Sequence, residues 1–250
     1  MKILKFKKQS KDKYKLYLDN NSDITLYEDV IIKNNLLITK EISDELLEAL
    51  KKQNNDMYAY TLALGYISVK MRSIKEINDY LIKKGFNNLV ANKVSERLIK
   101  EGYLNDLKYA KTFINDSMNL TNKGPQKIKM ELIKYGVNKD IIESEIALID
   151  QRKVEEKLNK LIDKELKIKK GSQNAIKIKI INHFVNLGYS KDLVTSILMS
   201  KEITSDKLKL KKDYAKLYNK YKVKYNGQEL LYFISQKLYS KGYTASDIKE

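Results

Sequence analysis

The segment Gly124–Gly136, GPQKIKMELIKYG, decides how the rest of the sequence is read. It contains Pro125, the only proline of the chain, and it begins and ends with glycine. Proline suits the first turn of a helix, because its missing N–H and its fixed φ are harmless there. Ile128 and Leu132 fall on one apolar stripe, and Gly136 suits a left-handed position after the last turn. The segment therefore predicts a short, basic, amphipathic helix.

The same pattern recurs in three other segments, Ser73–Gly85, Asn174–Gly188 and Gly227–Gly242. The final glycines of the four segments are 51, 52 and 54 residues apart. An isoleucine stands eight residues before each glycine, a large apolar residue four before it, and another directly after it: Ile77, Leu81, Phe86; Ile128, Leu132, Val137; Ile180, Phe184, Tyr189; Ile234, Leu238, Tyr243. This matched register indicates an internal repeat of about fifty residues. The alternative is a non-repetitive protein whose helices merely resemble each other.

Each repeat is predicted to contain three helices, so the fold class is mainly α. The helices are expected over Asp56–Val69, Ser73–Lys84 and Asn88–Lys100; Asp106–Met118, Gly124–Tyr135 and Lys139–Ile149; Gln151–Ile168, Asn174–Leu187 and Lys191–Met199; and Asp206–Val223, Gln228–Lys241 and a last helix from Ser246. Asn87, Asn138, Ser190 and Ser246 are the expected N-caps of the third helices. Stacked units of this kind predict tandem three-helix repeats in an elongated, curved array.

Residues 1–40 differ from the repeats and predict a small N-terminal antiparallel β element. Its strands are expected over Lys2–Lys7, Tyr14–Leu18 and Ile24–Tyr27. Asp29–Asn34 fits either a helical turn or a further strand, and Ser43 caps a helix over residues 44–53. The predicted domains are therefore an extension over 1–54, repeats over 55–104, 105–150 and 151–203, and a truncated repeat over 204–250.

The composition favours a helical, cytoplasmic protein. Only 9 glycines and 1 proline occur in 250 residues, which favours helices over a turn-rich β fold. The absence of cysteine excludes disulfides, thiolate nucleophiles and cysteine-ligated zinc. No apolar run approaches the roughly 18 residues that cross a bilayer, and the start, MKILKFKK, lacks the apolar core of a signal peptide. We therefore expect no membrane partner.

The charge predicts a polyanionic partner. Lys and Arg number 49 against 32 Asp and Glu, a net charge of +17. Residues 1–50 are neutral, and the excess lies in 51–104, 151–203 and 204–250, which belong to the repeats. Such a field suits nucleic acid, although a coding bias towards lysine would account for part of it.

No grouping of residues predicts catalysis, a metal site or a cofactor site. The single histidine, His183, is interpreted as a packed or surface residue, and Gly102–Asp106 as a C-cap followed by an N-cap. The candidates for binding nucleic acid or a partner protein are Arg72, Lys75, Lys83, Lys84, Lys123, Lys127, Lys134, Lys177, Lys179, Lys212, Lys216 and Lys220. Each lysine alone fits a solvated face equally well, but together they favour a broken basic stripe.

The segment Lys207–Lys224 has eight lysines with four tyrosines at helical spacing, Tyr214, Tyr218, Tyr221 and Tyr225. Aromatic rings among lysines can stack on exposed bases. The same stripe, extended by Leu210 and Leu217, also fits an ordinary core face, and this is the favoured interpretation.

Three motifs carry a resemblance to a known family. They read RSxxExxxYLxxKGF over Arg72–Phe86, LxxxGYLNDxxYAxxF over Leu98–Phe113 and KGPxxIxxEL over Lys123–Leu132. Together they resemble the RecX regulatory proteins of bacterial recombination, most densely over Arg72–Ile142. Asn105 departs from the aspartate pair usual in the second motif. The β-containing extension and the extra repeat resemble the longer members in Gram-positive-type bacteria.

The resemblance implies tandem three-helix repeats without enzymatic activity or a cofactor. It also implies a protein that binds the RecA recombinase, lies in the groove of its filament on single-stranded DNA, and restrains ATP hydrolysis, strand exchange and coprotease action. A monomer is expected, and double-stranded DNA stays open as a second ligand. The alternative is a basic helical-repeat scaffold that binds nucleic acid independently of RecA.

Overall fold

The computed structural model describes residues 1–249, so Glu250, the last residue of the predicted fourth repeat, lies outside the described residues. Within that range a three-stranded sheet precedes fourteen helices. The elements are β1 (Ile3–Ser10), β2 (Lys13–Leu18), β3 (Asp23–Tyr27), α1 (Glu28–Lys33), α2 (Leu36–Thr39), α3 (Asp44–Ile67), α4 (Ile74–Lys83), α5 (Asn88–Lys100), α6 (Asp106–Leu120), α7 (Pro125–Lys134), α8 (Lys139–Ala147), α9 (Gln151–Ile168), α10 (Gln173–Asn186), α11 (Lys191–Met199), α12 (Lys207–Tyr221), α13 (Gly227–Ser240) and α14 (Ala245–Lys249).

The N-terminal sheet is an antiparallel meander in the order β1-β2-β3, which confirms the predicted β element. Leu16 and Leu26 lie on its buried face with no exposed surface. The segment left open between helix and strand is the helix α1, whose Val30 and Ile31 join the same core. Because three short strands are marginal alone, this helical cover supplies the layer that the sheet needs.

α3 is one continuous helix of 24 residues, where the sequence predicts two separate helices. Ser43 caps its start as expected, by accepting a backbone N–H at 3.1 Å. Leu50 packs in the core of the sheet, whereas Ala59 and Ala63 belong to the core of the first repeat. No glycine or proline stands between residues 51 and 59, so nothing in the chain ends the helix there.

The repeated apolar register is confirmed by burial. All twelve apolar positions around the four glycines are buried, and Phe86, at 9% exposure, is the most exposed of them. The helices that precede these glycines, α4, α7, α10 and α13, are called the central helices below. Pro125 begins α7 and Gly136 follows its end with φ of +77°, both as predicted.

The N-caps of the third helices stand two residues after the glycine. Asn87 and Ser190 accept backbone N–H groups at 3.0 and 3.2 Å, which confirms both predictions. The prediction for Ser246 is wrong, because α14 begins at Ala245 and Thr244 accepts the capping N–H at 3.3 Å. Thr244 keeps the register of the repeat, whereas Ser246 lies inside the helix.

The chain divides into two compact units. Unit 1 consists of Met1–Tyr109 with Tyr135–Asn138, and unit 2 of Ala110–Lys134 with Lys139–Glu250. In unit 1, Ser73 caps α4 and its Oγ also donates to the carbonyl of Tyr135 at 2.6 Å. The start of α4 is therefore joined to Tyr135 within unit 1.

Unit 2 contains the same kind of junction twice. The N–H of Gly124 donates to the carbonyl of Leu187 at 2.7 Å, where α7 begins and α10 ends. Ser172, the N-cap of α10, donates to the carbonyl of Lys241 at 2.6 Å, where α13 ends. These contacts bring the positive N-terminus of one helix dipole to the negative C-terminus of another, which is favourable. We call these contacts the helix junctions.

Candidate nucleic-acid interface

Exposed lysines lie on the outer faces of the central helices. Lys83 on α4, Lys127 and Lys134 on α7, and Lys179 on α10 are all exposed. Each lies away from the buried isoleucine and leucine or phenylalanine of its own helix. α10 has no aspartate or glutamate, so its outer face carries lysines and no carboxylate. These side chains can contact a polyanion without disturbing any core.

Arg72 and Lys84 belong to a stack in unit 1. The Arg72 guanidinium lies 3.7 Å from the centre of the Tyr66 ring and pairs with Glu76 at 3.2 Å. Tyr66 in turn stacks on Tyr80 at 4.1 Å, and the Lys84 ammonium lies 5.6 Å from the Tyr80 ring. With only 11% of its side chain exposed, Arg72 mainly holds this stack together, whereas Lys84 is exposed.

Three further candidates are less accessible, because each is paired, half-buried or packed within its own unit. Lys123 pairs with Glu131 at 2.5 Å, and Lys177 is half-buried. The carbons of Lys75 cover Gly136 so closely that a Cβ at this glycine would lie 2.6 Å from the Lys75 Cδ. These lysines have less freedom to move towards a ligand than Lys83 or Lys127.

α12 has lysines on two different edges. Lys212, Lys216 and Lys220 are exposed and follow one another at intervals of four residues along one edge. Tyr214 and Tyr218 lie about half a turn away from Lys216, because each residue advances the helix by about 100°. The structure therefore separates the three predicted lysines from these two rings.

The structure also divides the tyrosine stripe that the sequence assigns to the core. Tyr221 and Tyr225 pack against Phe233, each with a ring-centre distance of 4.7 Å, and this part of the assignment is confirmed. Tyr214 and Tyr218 are 36% and 41% exposed and stack on each other, so for them the core assignment is wrong. The stripe is therefore exposed at its first two tyrosines and packed at its last two.

Lys211 and Lys222, the residue directly after α12, share the edge that carries Tyr214 and Tyr218. Neither lysine is among the candidates predicted from the sequence. The Lys222 ammonium lies 5.9 Å from the centre of the Tyr218 ring. The signal that could find them is helical spacing, since Lys211 precedes Tyr214 by three residues and Lys222 follows Tyr218 by four.

Asp213, the only carboxylate of α12, is buried and points inward. It accepts from the Lys241 ammonium at 3.1 Å and from the Tyr243 hydroxyl at 3.0 Å, and Lys209 lies 3.6 Å away. Burial alone would raise the pKa of Asp213, but these hydrogen bonds and cations outweigh it and lower the pKa below its ordinary value. The outer surface of α12 is left without a carboxylate.

Small-molecule, metal and membrane sites have little support in the described residues. A cavity of about 520 Å³ in unit 1 is lined by both signs of charge, including Asp56, Lys93 and Arg97. Within residues 1–249, no three His, Cys, Asp or Glu side chains form a group that could hold a metal ion. None of the helices described is long and apolar enough to cross a bilayer. His183 is exposed, as expected, with its ring edge against Phe184.

Two family models match successive segments of the chain. The family described as RecX, first three-helix domain, matches residues 59–98, and that described as RecX, second three-helix domain, matches residues 105–144. Regulatory protein RecX of Streptococcus uberis is 35% identical over 254 residues, covering 100% of this chain and 97% of the relative. This chain belongs to the RecX family of regulatory proteins. RecX of Streptococcus sanguinis is 32% identical and covers 99% of the chain, and RecX of Staphylococcus haemolyticus is 26% identical and covers 98%.

Two solved RecX structures share the fold. One crystal structure of regulatory protein RecX superposes with a TM-score of 0.69 at 22% identity, covering 78% of this chain and 98% of that one. RecX from Lactobacillus salivarius gives a TM-score of 0.54 at 27% identity, covering 59% of this chain and 96% of that one. The tandem three-helix RecX architecture is therefore confirmed.

The residues that carry the RecX resemblance mostly build the fold of unit 1. Ser73 and Glu76 form a capping box at the start of α4. Asp106 accepts the N–H of Ile74 at 3.0 Å, and Asn105 caps α6 by accepting from Lys108 at 2.9 Å. Because Asn105 makes a good cap, its departure from the usual aspartate leaves the RecX fold intact.

Proposed function

We propose that this RecX-family chain is a non-enzymatic regulator of homologous recombination and DNA repair. It binds the groove of the RecA filament on single-stranded DNA and mainly inhibits ATP hydrolysis, strand exchange and coprotease activity, through which it affects the SOS response. It acts in the cytoplasm as a monomer. The observation that carries the proposal is the similarity to regulatory RecX proteins over the whole chain, at 35% identity to the Streptococcus uberis protein.

The lysine faces of the central helices support this function. Lys127 and Lys179 are exposed on helices whose termini meet in a helix junction of unit 2. A row of cations on equivalent positions of a repeat suits a ligand whose own charges repeat, as the phosphates of a nucleic acid do. We propose the lysines of the central helices, together with those of α12, as the contacts to DNA and to acidic parts of the filament.

The alternative is a basic scaffold that binds DNA or RNA without the recombinase. The net charge of +17 and the carboxylate-free outer surface of α12 favour it equally. The two functions differ in what the chain prefers to bind. A RecA regulator binds the assembled filament more tightly than bare single-stranded DNA, whereas a scaffold binds the bare strand at least as tightly.

The test is the equilibrium binding of the labelled full chain to RecA filaments, to bare single-stranded DNA and to free RecA. We expect the filament to bind most tightly. The double variant Lys127→Gln/Lys179→Gln should weaken that binding, and Lys160→Gln/Lys191→Gln, an equal loss of charge at exposed sites on α9 and α11, should have little effect. Tighter binding to the bare strand than to the filament would exclude the proposal and favour the scaffold.

A further inference from the structure

Two exposed tyrosines on α12 form an aromatic surface that no core contact explains. The rings of Tyr214 and Tyr218 are nearly parallel, with 17° between their planes and 6.2 Å between their centres. They are 36% and 41% exposed, while Tyr221 and Tyr225 of the same stripe pack on Phe233. Their outer faces are thus open to a flat ligand.

The surroundings of this pair are basic. Lys211 and Lys222 lie on the same edge of the helix, and neither makes an ion pair with any described residue. Asp213, the one carboxylate of α12, is turned inward and bound to Lys241 and Tyr243. An anion that approaches Tyr214 and Tyr218 therefore meets ammonium groups and no opposing carboxylate from α12 itself.

An apolar cavity adjoins the same edge. It has a volume of about 600 Å³ and is lined by Ser205, Lys207, Leu210, Lys211, Tyr214, Leu238, Asp247 and Ile248. The Asp247 carboxylate is held by hydrogen bonds from the Ser205 hydroxyl at 2.7 Å and the Thr244 N–H at 2.8 Å. Planar rings, an adjacent apolar recess and flanking cations together suit a ligand that has both flat apolar faces and negative charge. Unpaired bases on a phosphate backbone have this combination, whereas the bases of a duplex are already stacked and paired.

We propose that Tyr214 and Tyr218, with Lys211 and Lys222, form a stacking site for single-stranded nucleic acid. The rings stack on unpaired bases, and the ammonium groups contact the flanking phosphates. This site deepens the proposed function, since it names the face that meets the single strand. It rests on the proposed function in one respect: that function identifies the strand as DNA.

The experiment measures binding of the full chain to a labelled oligothymidine, to an abasic oligonucleotide of equal length and to a duplex, over a range of salt concentrations. RecA is absent, so the outcome is independent of the filament test. We expect the oligothymidine to bind about tenfold more tightly than the abasic strand. A matched oligouridine shows whether the site distinguishes DNA from RNA. Comparable affinity for the oligothymidine and the oligouridine supports stacking without a sugar preference. If the chain binds neither oligonucleotide, the stacking site is overturned.

Two sets of variants separate stacking from charge. Tyr214→Leu/Tyr218→Leu, which keeps helix propensity and apolar size, should abolish the preference for bases and leave the salt dependence unchanged. Lys211→Gln/Lys222→Gln should keep the preference and lower the slope of log K against log salt by about 0.7 for each lysine. Tyr232→Leu/Tyr239→Leu, at two exposed tyrosines of α13, is the matched control and should bind as the unaltered chain does.

Equal affinity for the oligothymidine and the abasic strand would overturn the stacking site, as would a leucine pair that keeps the full preference for bases. Thermal unfolding of the leucine pair checks its fold. A melting temperature close to that of the unaltered chain is expected because both rings are partly exposed. If the leucine pair unfolds, the single variants Tyr214→Leu and Tyr218→Leu give the same comparison, each with a smaller loss.

Discussion

The third and fourth repeats have the same central helix but different flanks. α10 and α13 bury the same register, with Phe184 and Leu238 at equivalent positions. α9 and α11 add a further set of buried aliphatic residues: Val154, Leu158, Ile162, Val194, Ile197 and Leu198. In the fourth repeat the only buried residue of α12 is Asp213, and none of the described residues of α14 is buried. The central helix is the part that the two repeats share, whereas the flanking helices differ in how many apolar residues they bury.

The largest expected difference concerns the first helix of each repeat. Leu158 is fully buried in α9, whereas Leu217 of α12 is half-buried. Leu158→Ala should lower the free energy of unfolding by about 3–5 kcal/mol, because it leaves a cavity in a closed core. Leu217→Ala should cost about 1–2 kcal/mol, since less apolar area is lost. Urea denaturation of the two variants measures the difference, and equal costs would contradict the contrast between the repeats.

The glycines of the two repeats should differ next. Gly188 and Gly242 have φ of +91° and +86°, so alanine suffers about 1–2 kcal/mol of left-handed strain at either. A Cβ at Gly188 would also meet the backbone nitrogen of Lys127, whereas one at Gly242 would lie 2.9 Å from the Ser172 hydroxyl oxygen and 3.0 Å from the Asn174 Cβ. The Ser172 hydroxyl can rotate at the loss of its hydrogen bond to the Lys241 carbonyl, whereas the Lys127 backbone can move only if α7 shifts.

Gly188→Ala should therefore cost about 1–3 kcal/mol more than Gly242→Ala, the usual range for overpacking. Thermal unfolding of both variants provides the measurement. Equal melting temperatures of the two variants would contradict the prediction, because they would show that both helix junctions of unit 2 tolerate a Cβ equally poorly.

The last expected effect depends on pH and is confined to the fourth repeat. Asp213→Asn should cost about 1–3 kcal/mol at neutral pH, because it weakens charged hydrogen bonds to Lys241 and Tyr243. The folded-state pKa of Asp213 is lowered, so its contribution is complete above the ordinary value of 3.8 and is lost as the pH falls through the folded-state pKa. The difference between the unaltered chain and the variant should thus shrink in acid.

Urea denaturation at several pH values tests this expectation, with Asp192→Asn on α11 of the third repeat as the control. Asp192 is exposed, and its replacement should leave the acid dependence unchanged. A cost of Asp213→Asn that is the same at neutral and at acid pH would contradict the role of the carboxylate.

The repeat is predictable from the sequence because its signals are local. Burial of Ile128 and Leu132 and the left-handed Gly136 follow from spacing along one helix. The helix junctions are not predictable in this way, since the Ser73 hydroxyl meets the Tyr135 carbonyl across 62 residues of chain. No local pattern specifies such a pair.

The candidate site is predictable in its charge but not in its geometry. Lys212, Lys216 and Lys220 are exposed, as a basic face requires, yet Tyr214 and Tyr218 lie on another edge of α12. Their helical spacing places the four tyrosines on one stripe of α12, but how far the core extends along this helix decides which of them are buried. That extent depends on α13 and α14, which the sequence of α12 does not specify.

The most direct test of the central claim is the rate of ATP hydrolysis by RecA on single-stranded DNA as purified chain is added. The proposed function predicts that the rate falls as the chain approaches stoichiometry with RecA, and that excess single-stranded DNA does not restore it. An unchanged rate at stoichiometric chain, with RecA and DNA active in its absence, would contradict a role as a regulator of the RecA filament.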